Sequence, residues 1–448
     1  MNKSQNLKSI PTGYKQTEVG IIPEDWKVSN IGDLCVIFGR IGFRGYTKAD
    51  IVSQDQGVLS ISPSNIIGGR TSFTHGTYIT RQKYEESPEI KIYEDDILLV
   101  KTGSTYGKIA LVKNLKEDAT LNPQVVVFKR LKSPAAFLAY IMQSDIVQNQ
   151  IEETIVGGAI PTLSQKVVLS YKIPLPTPRE QLAIANVLSD TDALIIAIEQ
   201  LIAKKKDIKT ATMQQLLTGR TRLAQFAKQP NETLKGYKTS ELGMIPEDWE
   251  AKPFGELFES SLHRRTMRKE DIVSFVGMQD VSENAQLIEQ SQLSFSEVKG
   301  GFTYFEKGDV LVAKITPCFE NGKGCHTESL LTDIGFGSTE FHVLRAKNSS
   351  HSKFIYYWTT NTNLRKVLES EMVGSAGHRR VPLSAIQNYL IPCPQTKIEQ
   401  TAIATILSDM DDELEALEQK LAKVRDIKQG MMQQLLTGRI RLPLDHQP

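Results

Sequence analysis

Cysteine is scarce, with four in 448 residues. That is too few for a disulfide framework, so reduced thiols in a cytoplasmic setting are expected. No apolar run approaches the ~18 residues of a membrane span, and no membrane association is expected. Residues 1–10 are polar and lack the apolar core of a signal peptide. A surplus of one charge is missing too: 53 basic residues face 52 acidic ones, for a net charge of +1. Such a chain does not coat nucleic acid through bulk charge, although local basic faces remain open to it. With 40% hydrophobic and 23% charged residues it has the composition of an ordinary globular protein, large enough for several cores.

What is there is repetition. Gly13-Tyr14-Lys15 through Ile22-Pro23-Glu24-Asp25-Trp26 returns as Gly236-Tyr237-Lys238 through Ile245-Pro246-Glu247-Asp248-Trp249. Residues 180–220 return as 399–439 with about three in five identical, both ending Gln-Gln-Leu-Leu-Thr-Gly-Arg. The stretches between, Lys27 to Pro174 and Glu250 to Pro392, barely resemble each other. One frame carrying two different inserts is an architecture for recognition.

The second repeated block predicts a long helix in each copy. Thr177-Pro178-Arg179-Glu180 and Thr396-Lys397-Ile398-Glu399 have the form of capping boxes, and Gly219 and Gly438 stand where a left-handed C-cap belongs. Ile403, Leu407, Met410, Leu414, Leu417, Leu421, Val424, Met431 and Leu435 follow a four-three spacing that only Lys428 interrupts. That is a heptad seam, which asks for a partner helix. In the first copy Ile184, Leu188, Ile195, Ile198, Ile202 and Leu216 keep the register, while Thr191, Lys205, Lys209 and Thr212 break it. An antiparallel pair within the chain is expected, with homodimerisation the alternative, and Lys204-Lys205-Lys206 is read as a solvated face.

The inserts carry short β runs, such as 96–100, 124–128 and 309–313, and helical stretches near 134–153 and 352–371. The expected fold is α+β: two similar domains, each with a twisted, mainly antiparallel sheet, joined by two long helices in an antiparallel coiled coil with internal pseudo-twofold repeat. The segments are 1–12 tail, 13–176 first domain, 177–222 first long helix, 223–235 linker, 236–395 second domain, 396–442 second long helix and 443–448 tail. Asp96 to Thr102 aligns with Asp309 to Ile315, and Val156 to Ser164 aligns loosely with Val373 to Ser384.

No catalytic grouping stands out. Gly103-Ser104-Thr105-Tyr106-Gly107-Lys108 is one residue short of a phosphate-binding loop, and Ile109 replaces the hydroxyl that would hold magnesium. Asn122-Pro123-Gln124 lacks the second proline and the aromatic of an adenine-methyltransferase motif. Cys318 and Cys325-His326 have poor spacing for a metal, so ordinary buried thiols are expected and no metal site. Recognition chemistry remains. The first insert offers Arg40, Arg44, Tyr46 and Lys48, then Lys101, Thr102, Ser104, Tyr106 and Lys108. The second offers His263, Arg264, Arg265 and Arg268, then Lys314, Thr316, Asn321 and Lys323, then His378, Arg379 and Arg380. Arginine reads guanine edges and asparagine reads adenine, while Lys, Ser and Thr hold phosphates.

The repeated Pro-Glu-Asp-Trp, the Glu-Gln helix starts at Glu180 and Glu399 and the repeated Thr-Gly-Arg endings resemble the specificity subunit of type I restriction-modification enzymes, from Gly13 to Leu442. The resemblance implies a non-catalytic chain whose inserts are target-recognition domains, each reading half of a bipartite site in double-stranded DNA. It also implies two adenine-N6 methyltransferase subunits carrying S-adenosylmethionine, and restriction/translocase subunits using ATP and magnesium; this chain itself would bind no cofactor. A structural adaptor for proteins, with a coiled-coil scaffold, is the alternative, which the neutral net charge favours.

Overall fold

The computed structural model describes residues 10–42, 45–155, 161–298, 300–375 and 377–443. Two compact units emerge: Met1–Glu199 with Gln419–Pro448, and Gln200–Glu418. The division falls inside the two long helices, Pro178–Leu217 and Lys397–Leu435, so each helix gives one half to each unit.

In the first unit an opening hairpin pairs Tyr14–Thr17 with Gly20–Pro23. Lys27–Asn30 then pairs antiparallel with Lys172–Leu175, the strand that leads into the first long helix. Between them lie two sheets. One has six strands in the order Val36–Gly39, Val125–Lys129, Ile97–Val100, Ile109–Leu111, Arg70–Thr71, Ile66–Ile67; the other has four, Ala119–Leu121, Val58–Ile61, Thr77–Ile79, Ile51–Val52. Pairing is antiparallel except at one neighbour pair in each sheet. The central strands are continuous apolar runs because both faces are covered. Ile97, Leu99, Val126 and Phe128 enter one core, and Leu98, Val100, Val125 and Val127 the other, as the period of two dictates.

The second unit repeats the frame with a different filling. Tyr237–Ser240 pairs with Gly243–Pro246, and Trp249–Pro253 with Leu390–Pro394. Its sheets have four strands (Ser291–Ser294, Ile272–Val276, Ile334–Gly337, Thr303–Glu306) and three (Gly324–His326, Val310–Ala313, Phe341–Leu344). Val310 and Val312 again face one core, Leu311 and Ala313 another. Each expected helical stretch in the inserts is two helices, Ala135–Gln143 with Asp145–Thr154, and Ser352–Thr359 with Thr362–Ser370. The α+β expectation holds in both units.

The long helices pair antiparallel within each unit. In the first, Ile184, Ala185 and Leu188 share a core with Leu435 and Leu436; in the second, Met213, Leu216 and Leu217 share one with Ile403, Ala404 and Leu407. The first helix is long and apolar enough to cross a membrane by length and composition, with an 18-residue window of mean hydropathy 1.4. Its Ile184, Leu188, Ile195, Ile198 and Ile202 are buried within the protein. The lysines that break the seam of the first helix are paired. Lys205 and Lys206 meet Glu413 and Glu418, each at 2.7 Å, and Lys209 meets Asp411. Lys204 and Lys206 are exposed, in keeping with a solvated face, while Lys205 and Lys206 also reach carboxylates of the other helix.

Three repeated motifs converge in each unit. Arg222, just past the end of the first helix, donates to both carboxylate oxygens of Asp248 and of Glu399. Arg441 does the same for Asp25 and reaches Glu180. Burial alone would raise the Asp248 carboxyl, but hydrogen bonds from Arg222 and Lys235 prevail and lower it to about 2. Trp26 and Trp249 are 1% exposed and act as packing anchors. Gly219 and Gly438 are left-handed, as the C-caps require, and a Cβ on either would come within 2.6 Å of a ring carbon of Pro246 or Pro23.

Candidate nucleic-acid interface

The two candidate groups of the first insert meet at the ends of the central strands. Lys101 follows strand Ile97–Val100; its backbone N–H donates to Gln124 O at 2.8 Å, and its carbonyl accepts from Leu163 N, also at 2.8 Å. Gly103 and Gly107, both left-handed, fold the intervening loop back, so that Ser104 and Lys108 are exposed. Asn122 links this loop to the other group: its Nδ2 donates to the Tyr46 hydroxyl at 2.9 Å, while Oδ1 accepts from Gln124 N.

Within this cluster the residues divide by role. Arg40 is 5% exposed, and its guanidinium donates to Leu121 O (2.8 Å) and Thr120 Oγ1 (3.1 Å) while lying over the Tyr46 ring. Burial pulls it below the usual arginine range. Arg40 thus holds strand ends together, with its Nε and Nη2 engaged inside the insert. Tyr46 is half-buried, with its hydroxyl taken by Asn122 and Ser60. Tyr106 packs against the first unit's main core. Arg44 lies outside the described residues, as do residues 156–160. The groups left facing outward are Lys48, Ser104, Lys108 and the half-buried Lys101 and Thr102. Gln124, exposed beside Lys101, was missed. Its place directly before the apolar run Val125–Lys129 was visible in the sequence, but the pairing of that strand with Ile97–Val100, which brings it beside Lys101, was not.

The second insert builds the same crossing from different residues. Lys314 follows strand Val310–Ala313; its carbonyl accepts from Val381 N at 2.8 Å, and Thr316 N donates to Arg379 O. Leu163 and Val381 are the equivalent positions, which moves the loose alignment of 156–164 with 373–384 by two residues. Lys314, Thr316, Arg379 and Arg380 thereby stand together. Carboxylates hold most of them. Arg379 and Thr316 share Glu320, and Arg380 pairs with Glu340 at 2.6 Å, whose carboxyl its hydrogen bond lowers. Lys323 Nζ donates to Met278 O and Asn321 Nδ2 to Glu283, tying both back to the segment 278–283. His378 is exposed.

The His263–Arg268 group sits elsewhere, on the four-stranded sheet. Arg265 pairs with Glu306 at 2.7 Å, Arg264 lies over the Tyr304 ring, and Arg268 N donates to Asp271. Among the described candidate residues, Lys48, Lys101, Lys108, Arg264, Arg268, Lys314 and Lys323 carry no ion pair, Lys323 donating instead to Met278 O. They are the cations that phosphates could meet without displacing a carboxylate.

No metal-holding group of three or more His, Cys, Asp or Glu occurs among the described residues. Cys325 is a buried strand residue whose thiol burial pushes up to about 12, and His326 beside it is pushed down to about 4.

The duplicated frame with divergent inserts is matched by known proteins. The family model described as the type I restriction modification DNA specificity domain matches residues 23–210 and again 246–425. The chain belongs to that family. It is 34% identical over 194 residues to the type I restriction enzyme EcoEI specificity subunit of Escherichia coli, covering 43% of this chain and 32% of that one. The match thus spans about a third of that relative's length. To the MjaVIII specificity subunit of Methanocaldococcus jannaschii it is 25% identical over 438 residues, 94% of each chain. The type I restriction-modification S subunit from M. genitalium shares the fold, with a TM-score of 0.55 at 16% identity over 92% of this chain and 96% of that one.

Proposed function

We propose that this chain is the DNA-reading subunit of a type I restriction-modification assembly and recognises a bipartite, asymmetric site in duplex DNA. The observation that carries the reading is the repeated crossing at Lys101/Leu163 and Lys314/Val381: one backbone arrangement presents two different sets of side chains. A duplicated reader of two unlike half-sites needs that combination. The long helices would set the distance between the half-sites, centred about one helical turn apart on one face of the duplex.

The chain would do no chemistry itself. Two adenine-N6 methyltransferase subunits carrying S-adenosylmethionine would dock on the repeated frame, and restriction/translocase subunits using ATP and magnesium would join them. Exchanging Lys27–Pro174 for the corresponding insert of another family member, with DNA binding then profiled on a randomised duplex library, tests the reading. One altered half-site is expected; alteration of both, or of neither, would contradict it.

A further inference from the structure

The seam lysines that interrupt the heptads, Lys209 and Lys428, occupy equivalent positions 219 residues apart, as do Asp192 and Asp411. In the first unit Lys428 Nζ meets Asp192 at 2.8 Å; in the second Lys209 meets Asp411. Both pairs are largely covered, with side-chain exposures of 14% and 18% in the first unit and 24% and 25% in the second. Each Asp also accepts from a tyrosine hydroxyl of its own unit's insert: Tyr140 at 2.7 Å from helix Ala135–Gln143, Tyr357 at 2.8 Å from helix Ser352–Thr359. Both rings are buried, and in each unit the lysine ammonium lies over the tyrosine ring, at 5.1 Å and 5.8 Å.

A lysine in an apolar seam lowers stability and is tolerated where it specifies register, because a slipped register would bury it without a partner. Here the same carboxylate holds the lysine of the opposing helix and the phenol of the insert. We infer that Tyr140–Asp192–Lys428 and Tyr357–Asp411–Lys209 are paired positioning locks: each fixes the antiparallel register of the helices and seats one insert on them. Arg70, which also pairs with Asp192 and with Glu199, reinforces the first lock. The second has the simpler form. The inference concerns how each insert is held, and its test needs no DNA, so it stands or fails separately from the proposed function.

The test uses the full chain with spin labels at Asn186→Cys and Gln433→Cys, exposed positions in the first unit, on a Cys318→Ser background. The unaltered lock should give one narrow distance. Asp192→Ala, which strands Lys428, should speed amide exchange across residues 178–199 by roughly tenfold or more. Asp192→Ala with Lys428→Met should return exchange to within about threefold of the parent while splitting the distances into more than one population. The swap Asp192→Lys with Lys428→Asp should restore a single distance. Tyr140→Phe should speed exchange in Ala135–Gln143 about threefold to tenfold and leave the distance unchanged. A single narrow distance in the apolar double variant, or a swapped pair that stays as broad as that variant, would overturn the register role. Unchanged exchange in Tyr140→Phe would overturn the seating role.

Discussion

At the scale of single residues, position in the chain and role in the protein come apart most clearly among the arginines. Arg40 and Arg264 carry the same guanidinium, yet one is bonded to Leu121 O and Thr120 while the other lies outside on a tyrosine ring. Arg40→Ala should therefore cost roughly 1–3 kcal/mol of stability through unsatisfied partners, seen in urea unfolding, and leave the salt dependence of DNA binding unaltered. Lys101→Ala or Lys108→Ala should do the reverse, reducing the salt slope by about one each with unaltered stability. Arg40 was not separable from the others by sequence, because its partners stand about eighty residues away and one is a backbone carbonyl. Arg222 and Arg441 were overlooked for the opposite reason: they lie just past the conspicuous Thr-Gly-Arg motif, whose own Arg220 and Arg439 are exposed. Arg222→Ala should destabilise the second unit by about 2–3 kcal/mol, since Glu399 is buried and would lose its counter-ion while Asp248 is partly solvated. The Asp248 carboxyl lies lower in the folded than in the unfolded chain, at about 2 against an ordinary value near 4. Its contribution is complete above about pH 4 and is lost as pH falls towards 2, so Asp248→Asn should flatten acid unfolding of the second unit in that window.

At the scale of elements, legibility followed local physics. Helix starts, helix stops and the heptad seam were readable because capping, left-handed C-caps and 3.5-residue spacing are encoded within a few residues. Both glycines at 219 and 438 do cap as expected, but they also make room for a proline and a tryptophan brought in from elsewhere in the unit. Gly219→Ala should cost about 2 kcal/mol or more, combining backbone strain with a clash against Pro246. Gly13→Ala, at φ +83° with open space around it, should cost only the strain, about 1–2 kcal/mol, with both glycine variants measured by urea unfolding. Equal losses would show that the close approach to Pro246 is not what the glycine serves. Strand order was not legible. The parallel neighbours Ala119–Leu121 and Val58–Ile61, sixty residues apart, are joined by no local pattern. Nor was the register of the loops at 161–163 and 379–381, where only the hydrogen bonds to Lys101 and Lys314 show which residues correspond.

At the scale of the whole molecule, the central claim is that one duplicated frame presents two unlike readers at a set separation. The paired helices bear on how that separation can be altered. Lengthening the first helix alone, after Ala203, would leave the second helix too short to keep both Lys209 with Asp411 and Lys428 with Asp192. Four residues inserted after Ala203 and four after Ala416, close to opposite it, should lengthen the gap between half-sites with both half-sites intact, as read from binding to a gapped duplex library. The most direct measurement is single-molecule methylation mapping of genomic DNA from cells expressing this chain together with a type I adenine methyltransferase subunit that co-purifies with it, against cells expressing that subunit alone. The account predicts N6-methyladenine at one asymmetric motif of two unlike halves around a constant gap, present only with this chain. Methylation independent of this chain, or no chain-dependent motif with both proteins folded and associated, would contradict it.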